Sequence, residues 1–389
     1  MSILLNMIVR NESHIIGNTL QNLIESIKID YYVISDTGST DSTVEIITSF
    51  FKELSIPGEI YHDQWINFET NRNIALSHAF KKSDYIFLFD ADDYIVGKIL
   101  LPELKSDVYL FNFGNEIIKY SRPVLLNNSK EWKYRGVLHE YLIIPKNSTT
   151  SIIKGNYHIV SGKTGARNKN KNKYLEDAQM LEKGYYSALI TNDPIYSRYS
   201  YYCANSYYDH GDLIKAKEWY SLVIKNNGWF DEKYNACLRL YELTKNKEYL
   251  LKSYSFNPKR IEGIFILIKE YIIINEFHIA YGYYLFIKEY YENEYSIGKD
   301  SLSNKLFANS SIYNFYLPYY LIILSEKLKK WDTGIKMYLI IFSRTYETEK
   351  PDKWYLSNLF YNFKFYELYV DQSFFEKLNE YKKYVEFME

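Results

Sequence analysis

The chain has 389 residues, enough for two or three domains at about 150 residues each. Its 47 basic and 48 acidic residues give a net charge of -1, so the composition excludes a general attraction to nucleic acid or to anionic membranes. Two cysteines are too few for a disulfide framework or a zinc cluster, which favours a reducing compartment, and we expect a soluble, cytoplasmic protein. No apolar run approaches the ~20 residues that span a bilayer.

The first half of the chain alternates between strand and helix patterns. Met1 to Val9 lacks the basic start and the small-residue cleavage site of a secretion signal, and it predicts a strand instead. The predicted strands are 3–9, 30–35, 59–62 and 85–89, and the predicted helices are 16–27, 44–54 and 68–81. This alternation predicts a parallel sheet with right-handed crossovers.

The strand at 85–89 runs directly into three carboxylates, Asp90, Asp92 and Asp93. Side chains alternate along an extended chain, so Asp90 and Asp92 point to the same side. Two like charges this close are costly unless a cation lies between them, which indicates a divalent-metal site. The alternative is an acidic turn that caps a following helix.

Polar residues also follow the other predicted strands. Arg10 and Glu12 follow the first strand, and Asp36 follows the second. Because the carboxyl ends of parallel strands meet at one edge of a sheet, we expect these side chains to share a crevice. Asp36 could accept a hydrogen bond from a uracil or a ribose, or it could only organise the turn at Gly38.

Arg72 lies one turn into the predicted helix 68–81, on the face that carries Phe68 and Ala75. A buried guanidinium needs an anion or a carbonyl as its partner. The partner could be a nucleotide, or it could be Glu69 or Asp36 in a structural ion pair.

Four segments together resemble a known family, the family 2 glycosyltransferases with a GT-A fold. The segments are Met7–Glu12, Ser35–Thr43, Phe68–Leu76 and Asp90–Asp93. The chain looks most like the subgroup that carries tetratricopeptide-like repeats after the catalytic domain, and the resemblance covers roughly the first 230 residues. It implies a nucleotide-sugar donor, a divalent metal on the Asp-x-Asp motif, Mn²⁺ or Mg²⁺, and transfer with inversion at the anomeric carbon.

The resemblance also implies roles for individual residues. The predicted metal ligands are Asp90, Asp92 and His158, where His158 stands at the position of a late histidine in GT-A enzymes; a packed strand histidine is the alternative. The predicted nucleotide-sugar-binding residues are Val9, Arg10, Glu12, Asp36, Arg72, Asp90, Ala91, Lys163 and Arg167.

Lys163 and Arg167 belong to the segment Gly162–Lys173, which has two glycines and several cations. Beside a diphosphate site, such a segment predicts a lid that closes on the donor and neutralises the leaving group. The alternative is a solvated basic linker between two domains.

Residues 100–160 show short strand patterns, at 108–113, 116–120, 124–126, 141–144 and 151–159. They predict antiparallel additions to the sheet that build the acceptor side of the cleft. An inverting transfer is a single displacement and needs a base for the proton of the acceptor. Similar enzymes carry a Gly-x-x-His-Glu element, which Gly136–Glu140 matches here, so Glu140 is the predicted base. His139 is predicted to orient it or to ligate the metal; a structural hydrogen-bonded pair is the alternative.

Beyond Tyr174 the apolar period becomes helical, with further helices predicted at about 260–290, 312–345 and 353–387. Cys203 and Cys237 are separated by 34 residues, the tetratricopeptide period, so both are predicted to be core residues of successive repeats. We therefore predict a GT-A catalytic domain over 1–173 and an all-α repeat domain over 174–389. The repeats would bind peptides or partner proteins, form a dimer surface, or brace the catalytic domain.

The predicted function is metal-dependent, inverting transfer of a sugar from a UDP-sugar, with glucose or N-acetylglucosamine favoured, to a protein or glycan acceptor. A helical-repeat binding scaffold with an inactive transferase domain is the alternative. A sugar-1-phosphate nucleotidyltransferase is disfavoured because Met1 to Glu12 contains no glycine for a triphosphate-binding loop.

Overall fold

The computed structural model describes residues 1–114, 119–302, 305–344 and 351–387. The chain divides into two compact units, Met1–Ala216 and Lys217–Glu389. The predicted fold class, an α/β GT-A-like sheet domain followed by an all-α region, is confirmed. None of the helices in the described part of the chain has the length and apolar character needed to cross a membrane.

The first unit opens with the predicted alternation of strands and helices. Its strands are β1 (Ile3–Val9), β2 (Tyr31–Asp36), β3 (Gly58–His62) and β4 (Tyr85–Leu88), and its helices are α1 (Ile16–Ser26), α2 (Thr43–Glu53) and α3 (Phe68–Ala79). The four strands are parallel, in the order β3-β2-β1-β4. Strands β1 and β4 at the centre of the sheet are almost entirely buried, because most of their side chains are apolar on both faces.

The sheet continues with strands of mixed direction. These are β5 (Tyr94–Gly97), β6 (Val108–Gly114), β7 (Lys119–Asn127), β10 (Thr150–Ile152) and β11 (Tyr157–Val160), while β8 (Lys133–Arg135) and β9 (Tyr141–Ile143) form a separate hairpin. Strand β7 is antiparallel to β4 and β6, and β11 is antiparallel to β5.

Two strand predictions and one helix-cap interpretation in this region need correction or lie outside the described residues. The predicted strand 151–159 is two strands, β10 and β11, because residues 153–156 turn between them. The predicted strand 116–120 falls largely on 116–118, which lie outside the described residues. The chain after Asp93 forms β5 and no helix, so the interpretation of the carboxylates as a helix cap is wrong.

The register of the parallel strands positions the site. Val9 at the end of β1 pairs with Asp36 at the end of β2, and Asn6 of β1 pairs with Leu88 at the end of β4. The segments that follow these three strands therefore leave the sheet at one common edge, as the alternation predicted.

The helical part of the chain begins with α4 (Lys173–Ile190), α5 (Tyr196–His210) and α6 (Leu213–Val223). Helices α4 and α5 pack against each other within the first unit. Cys203 of α5 is fully buried, as expected for a core residue.

The second unit consists of helices whose core is rich in tyrosine. They are α7 (Phe230–Thr244), α8 (Glu248–Phe256), α9 (Glu262–Ile273), α10 (Phe277–Tyr290), α11 (Leu317–Lys327), α12 (Trp331–Ser343), α13 (Lys353–Phe363) and α14 (Gln372–Phe387). The pairs α7/α8, α9/α10 and α11/α12 pack together, and Cys237 of α7 is buried. The predicted helix 312–345 is a π-helical turn at Ile312–Tyr316 followed by α11 and α12, and residue 345 lies outside the described residues.

Candidate active site

A cavity of about 620 Å³ lies at the edge of the sheet where β1, β2 and β4 end, a size typical of small-molecule sites. Most of the predicted site residues line it: Val9, Arg10, Glu12, Arg72, Asp90, Ala91, Asp92 and Arg167. The cavity thus brings together side chains that are up to about 160 residues apart in the sequence.

Other lining residues were not predicted from the sequence. Trp65 and Phe68 form an edge-to-face pair with ring centroids 4.8 Å apart, and Lys173 and Met180 come from α4. Phe68 stands within a motif that the resemblance already singled out. Met180 carried no local signal, because it reaches the cavity only through the packing of a helix, whereas Lys173 is the last residue of the predicted basic segment Gly162–Lys173.

Arg72 connects two candidate functional carboxylates. Its Nη2 donates to Asp90 Oδ1 at 2.7 Å and its Nε donates to Glu140 Oε1 at 2.5 Å, while its guanidinium carbon lies 5.3 Å from the centre of the Tyr134 ring. The predicted structural partners of Arg72 were Glu69 and Asp36, but Glu69 instead accepts the backbone N–H of Gly136. A guanidinium fork of this kind fixes two carboxylates in relation to each other.

The loop after β11 forms hydrogen bonds with the side chains of Glu12 and Asp92. The backbone N–H of Gly165 donates to Asp92 Oδ2 at 3.3 Å, and the N–H of Ala166 donates to both carboxylate oxygens of Glu12 at 3.1–3.2 Å. At Gly162, a Cβ atom would lie only 1.7 Å from the backbone oxygen of Asp92, so glycine allows the close approach. The two carboxylates are thus held beside each other by one loop.

The pKa values of these carboxylates differ according to their partners. Burial raises the pKa of Glu12, the Ala166 N–H partly offsets this, and the charge of Asp92 raises it further. Burial also raises the pKa of Asp92. The hydrogen bond from the Gly165 N–H partly offsets this rise, and the charge of Asp90 raises the pKa further. Burial would raise the pKa of Asp90 as well, but Arg72 and then Arg122 bring it below its ordinary value.

Asp93, directly behind the pair, completes the acidic cluster. Burial, followed by the charge of Asp90, raises the pKa of Asp93 to about 8. Buried carboxylates that raise one another's pKa values favour a nearby cation, and carboxylate oxygens are the ligands that Mg²⁺ and Mn²⁺ prefer. The residues present therefore fit a divalent cation held by one or two carboxylates together with oxygen atoms of a ligand.

The predicted metal ligands do not all lie at the cavity. Asp90 and Asp92 line it, whereas His158 is on β11 opposite Val96 of β5 and is not among the described lining residues. Across the described residues, no three His, Cys, Asp or Glu side chains form a group that could hold a metal by themselves. The ligand role of His158 remains a prediction.

Asp36 is 3% exposed and both of its carboxylate oxygens have partners in the protein. Oδ1 accepts the N–H of Ser39 at 3.0 Å, and Oδ2 lies 3.2 Å from His62 Nδ1. This is the arrangement expected of a residue that organises the turn at Gly38. Thr37, the next residue, lines the cavity. The nucleotide-binding role of Asp36 remains a prediction.

Glu140 and His139 stand at the end of the hairpin loop between β8 and β9. Glu140 is held by Arg72, and the ring of His139 stacks on Tyr202 with centroids 4.1 Å apart. Desolvation and then the charges of Arg198 and Arg167 lower the pKa of His139 to about 4, although the residue keeps exposed surface. His139 is therefore neutral at physiological pH.

The two predicted lid cations have different surroundings. Arg167 lines the cavity, donates to Asp177 of α4 and lies with its guanidinium carbon 4.7 Å from the centre of the Phe68 ring. Lys163 is exposed and is not among the described lining residues. The segment Ala166–Lys169 forms a short 3₁₀ helix above the cavity floor.

Comparison with known proteins gives one family. Residues 5–176 match the family model described as Glycosyl transferase family 2, a span somewhat under half of the chain. No curated protein matches the chain significantly.

Among solved structures, a crystal structure of S. aureus TarS 1-349 in complex with UDP-GlcNAc is similar, at 12% identity and a TM-score of 0.33, covering 75% of this chain and 91% of that one. A complex of the same protein with UDP gives 13% identity and a TM-score of 0.32, and the match covers 64% of this chain and 83% of that one. The mannosyltransferase PcManGT from Pyrobaculum calidifontis, in complex with GDP-Man and Mn2+, is similar at 13% identity and a TM-score of 0.32. The match covers 66% of this chain and 86% of that one. TM-scores this low carry no weight for substrate or mechanism.

Proposed function

We propose that this chain is a metal-dependent inverting glycosyltransferase that moves a sugar, glucose or N-acetylglucosamine, from a UDP-sugar to a protein or glycan acceptor. One observation carries the proposal: in the region that matches the glycosyltransferase family, one cavity contains the acidic ends of the strands, and Arg72 joins Asp90 to Glu140. This arrangement supports a metal site and a nucleotide-sugar pocket in the cavity, with the base held next to it by Arg72.

The donor end of the reaction is assigned to the strand ends. Asp92 and Asp90, with Glu12 beside them, would hold Mn²⁺ or Mg²⁺, which when bound supplies Lewis-acid neutralisation of the departing diphosphate. Val9, Arg10, Ala91 and Thr37 line the same cavity and offer backbone and side-chain contacts to the nucleoside.

Cations that line the same cavity would assist the leaving group. They are Arg167 and Lys173, and Arg167 is already fixed by Asp177 and Phe68. Preorganised positive charge stabilises the negative charge that develops on the diphosphate without reorganisation during the reaction. Lys163 would join them when donor is bound.

Glu140 is assigned the role of base. As the acceptor oxygen forms its bond to the anomeric carbon, Glu140 takes the proton of that oxygen, the bond from the anomeric carbon to the diphosphate breaks, and UDP leaves with the electron pair. The hydrogen bond from Arg72 keeps the Glu140 carboxylate oriented. His139, neutral at physiological pH, orients the loop rather than supplying a proton.

The helices beyond residue 173 are proposed to serve the acceptor. In this proposal the domain after residue 173 contains tetratricopeptide-like repeats that recruit a protein or glycan, and the protein works in the cytoplasm. The consecutive helix pairs α7/α8, α9/α10 and α11/α12 support a repeated helical architecture.

The proposal is tested by release of UDP from a panel of UDP-sugars with and without Mn²⁺. We expect metal-dependent release with at least one donor, and loss of release in Asp92→Asn. Equal rates for the wild type and Asp92→Asn, or no release from any donor, would refute it.

A further inference from the structure

The loop that carries Glu140 has a backbone conformation that it would not adopt by itself. Gly136 and His139 both have left-handed backbone angles, with φ of 117° and 52°. Glycine adopts this region freely, but a residue with a Cβ does so only when its surroundings hold it there. His139 therefore has a less favourable backbone conformation, which contacts from outside the hairpin can stabilise.

Helix α3 supplies contacts at the beginning of this loop. Glu69 Oε2 accepts the N–H of Gly136 at 2.6 Å, and the N–H of Phe68 donates to the carbonyl of Val137 at 3.2 Å. Both α3 residues lie in the segment Phe68–Leu76, so this side of the loop is fixed by the part of the chain that also supplies Arg72.

Helix α5 supplies contacts to the rest of the loop. The hydroxyl of Tyr199 accepts the N–H of Val137 at 3.1 Å. Arg198 donates from Nη2 and Nε to the carbonyl of His139, at 3.0 and 3.4 Å, and Tyr202 stacks on the His139 ring. Two consecutive residues of one helix thus hold the backbone on either side of Leu138.

We propose that Arg198 and Tyr199 are positioning residues for Glu140, an inference that rests on the proposed glycosyl transfer. Arg198 keeps His139 in its left-handed conformation, and Tyr199 fixes Val137, so the carboxylate that follows stays on Arg72. A displacement of about 1 Å at a reacting group costs roughly 100-fold in rate. Helix α5 lies after residue 173, so the catalytic machinery extends into the helical part of the chain.

The test uses Tyr199→Phe and Arg198→Gln in the full chain, with Tyr207→Phe as the matched control. Tyr207 is also on α5 and is fully buried, and its hydroxyl donates to Glu182 at 2.6 Å, away from the loop. The control therefore also removes one tyrosine hydroxyl from α5, and it reports any effect of weakening this helix itself.

Two readouts separate positioning from stability. We expect kcat for UDP-sugar turnover to fall by about 10- to 100-fold in Tyr199→Phe and Arg198→Gln, with donor KM within about twofold, and Arg198→Lys to recover part of the loss. Amide hydrogen exchange should accelerate at Gly136 in Tyr199→Phe and at Val137 in Arg198→Gln. Each of these amides keeps its own hydrogen-bond acceptor in that variant, Glu69 for Gly136 and Tyr199 for Val137, so faster exchange would report movement of the loop. Tyr207→Phe should change neither.

The proposal is overturned if Tyr199→Phe and Arg198→Gln match Tyr207→Phe in both kcat and loop exchange. It is also overturned if donor KM rises while kcat is kept, because that would place α5 in donor binding. Absence of turnover in the wild type refutes the proposed function, whereas unchanged exchange in the variants refutes the action of α5 on the loop.

Discussion

Two groups of buried or half-buried charged residues in this chain differ in how their charges are compensated. In the second unit, Arg260 is 1% exposed and donates to Glu262 at 2.7 Å, and Glu262 also accepts the hydroxyls of Tyr234 and Tyr313. Asp231 beside it accepts from Asn257 and from the backbone of Leu306. In the first unit, Glu12 and Asp92 lie close together at the cavity, and Asp93 is buried next to Asp92 in the chain.

The difference separates a structural charge cluster from a functional one. Around Arg260 each carboxylate is matched by donors within the protein, which is how buried charges are kept in a stable core. At the cavity the pKa values of Glu12 and Asp92 are raised, as is that of the buried Asp93, so their arrangement costs stability until a ligand compensates them. Substitutions in the two groups should therefore have opposite consequences.

The largest effect is expected for Asp92→Asn. An amide cannot supply the charge that a cation and a diphosphate need, so turnover should fall by roughly 100- to 1,000-fold. The free energy of unfolding should stay unchanged or increase, because the neutral amide relieves repulsion with Asp90 and Glu12. Initial rates and urea unfolding of the same preparation measure both; a destabilised variant with full activity would contradict the comparison.

Glu262→Gln should show the reverse pattern. It removes the nearer of the two carboxylates that compensate the buried Arg260 and leaves only Asp231 at 3.7 Å, which should cost up to about 3 kcal/mol of unfolding free energy. Urea unfolding measures this, with Glu242→Gln as the control, because Glu242 forms an exposed pair with Arg239 whose loss costs at most about 1 kcal/mol. Equal stabilities of the two variants would remove the structural role assigned to the Arg260 cluster.

Arg72→Lys tests the connection between the metal side and the base side of the cavity. Lysine keeps the positive charge but carries its donors on a single nitrogen and lacks the planar fork that holds Asp90 and Glu140, so we expect kcat to fall by about 100-fold. Arg239→Lys, at an exposed position of α7, is the control. Full activity of Arg72→Lys would show that the two-carboxylate fork is not needed.

The smallest effect is expected for Asp41→Asn, a carboxylate that is matched within the first unit. Burial would raise the pKa of Asp41, but hydrogen bonds from Ser13 and Thr43 lower it to about 2. The stabilisation from this depressed pKa is present above pH 4 and disappears as the pH falls through 2. We expect a loss of about 1 kcal/mol at pH 7 that vanishes near pH 2, measured by urea unfolding at both pH values.

The sequence was sufficient for the framework of the site. Buried strands ending in polar residues predicted that the segments after β1, β2 and β4 would meet at one edge, and they do. Carboxylates placed directly after a strand, as Asp90 and Asp92 are, carry a local signal. Arg72 was predicted to need an anion or a carbonyl as its partner, but the protein candidates named for it were Glu69 and Asp36, whereas its partners are Asp90 and Glu140.

Other parts of the site depend on contacts that leave no local pattern. The support of Glu12 and Asp92 comes from the backbone N–H groups of Gly165 and Ala166, which every residue but proline carries. The support of the Glu140 loop comes from α5, about 60 residues later in the chain. Such long-range pairings follow from tertiary packing, and neither periodicity nor composition encodes them.

Binding of UDP in the presence and absence of Mn²⁺, measured by calorimetry on the wild type and on Asp92→Asn, tests most directly whether the crowded carboxylates form a cation-dependent nucleotide site. We expect the wild type to bind UDP at least about tenfold more tightly with Mn²⁺ than with a chelator, which is about 1.4 kcal/mol, and Asp92→Asn to lose this difference. Equal affinity of the wild type under both conditions, or an undiminished metal effect in Asp92→Asn, would contradict the account.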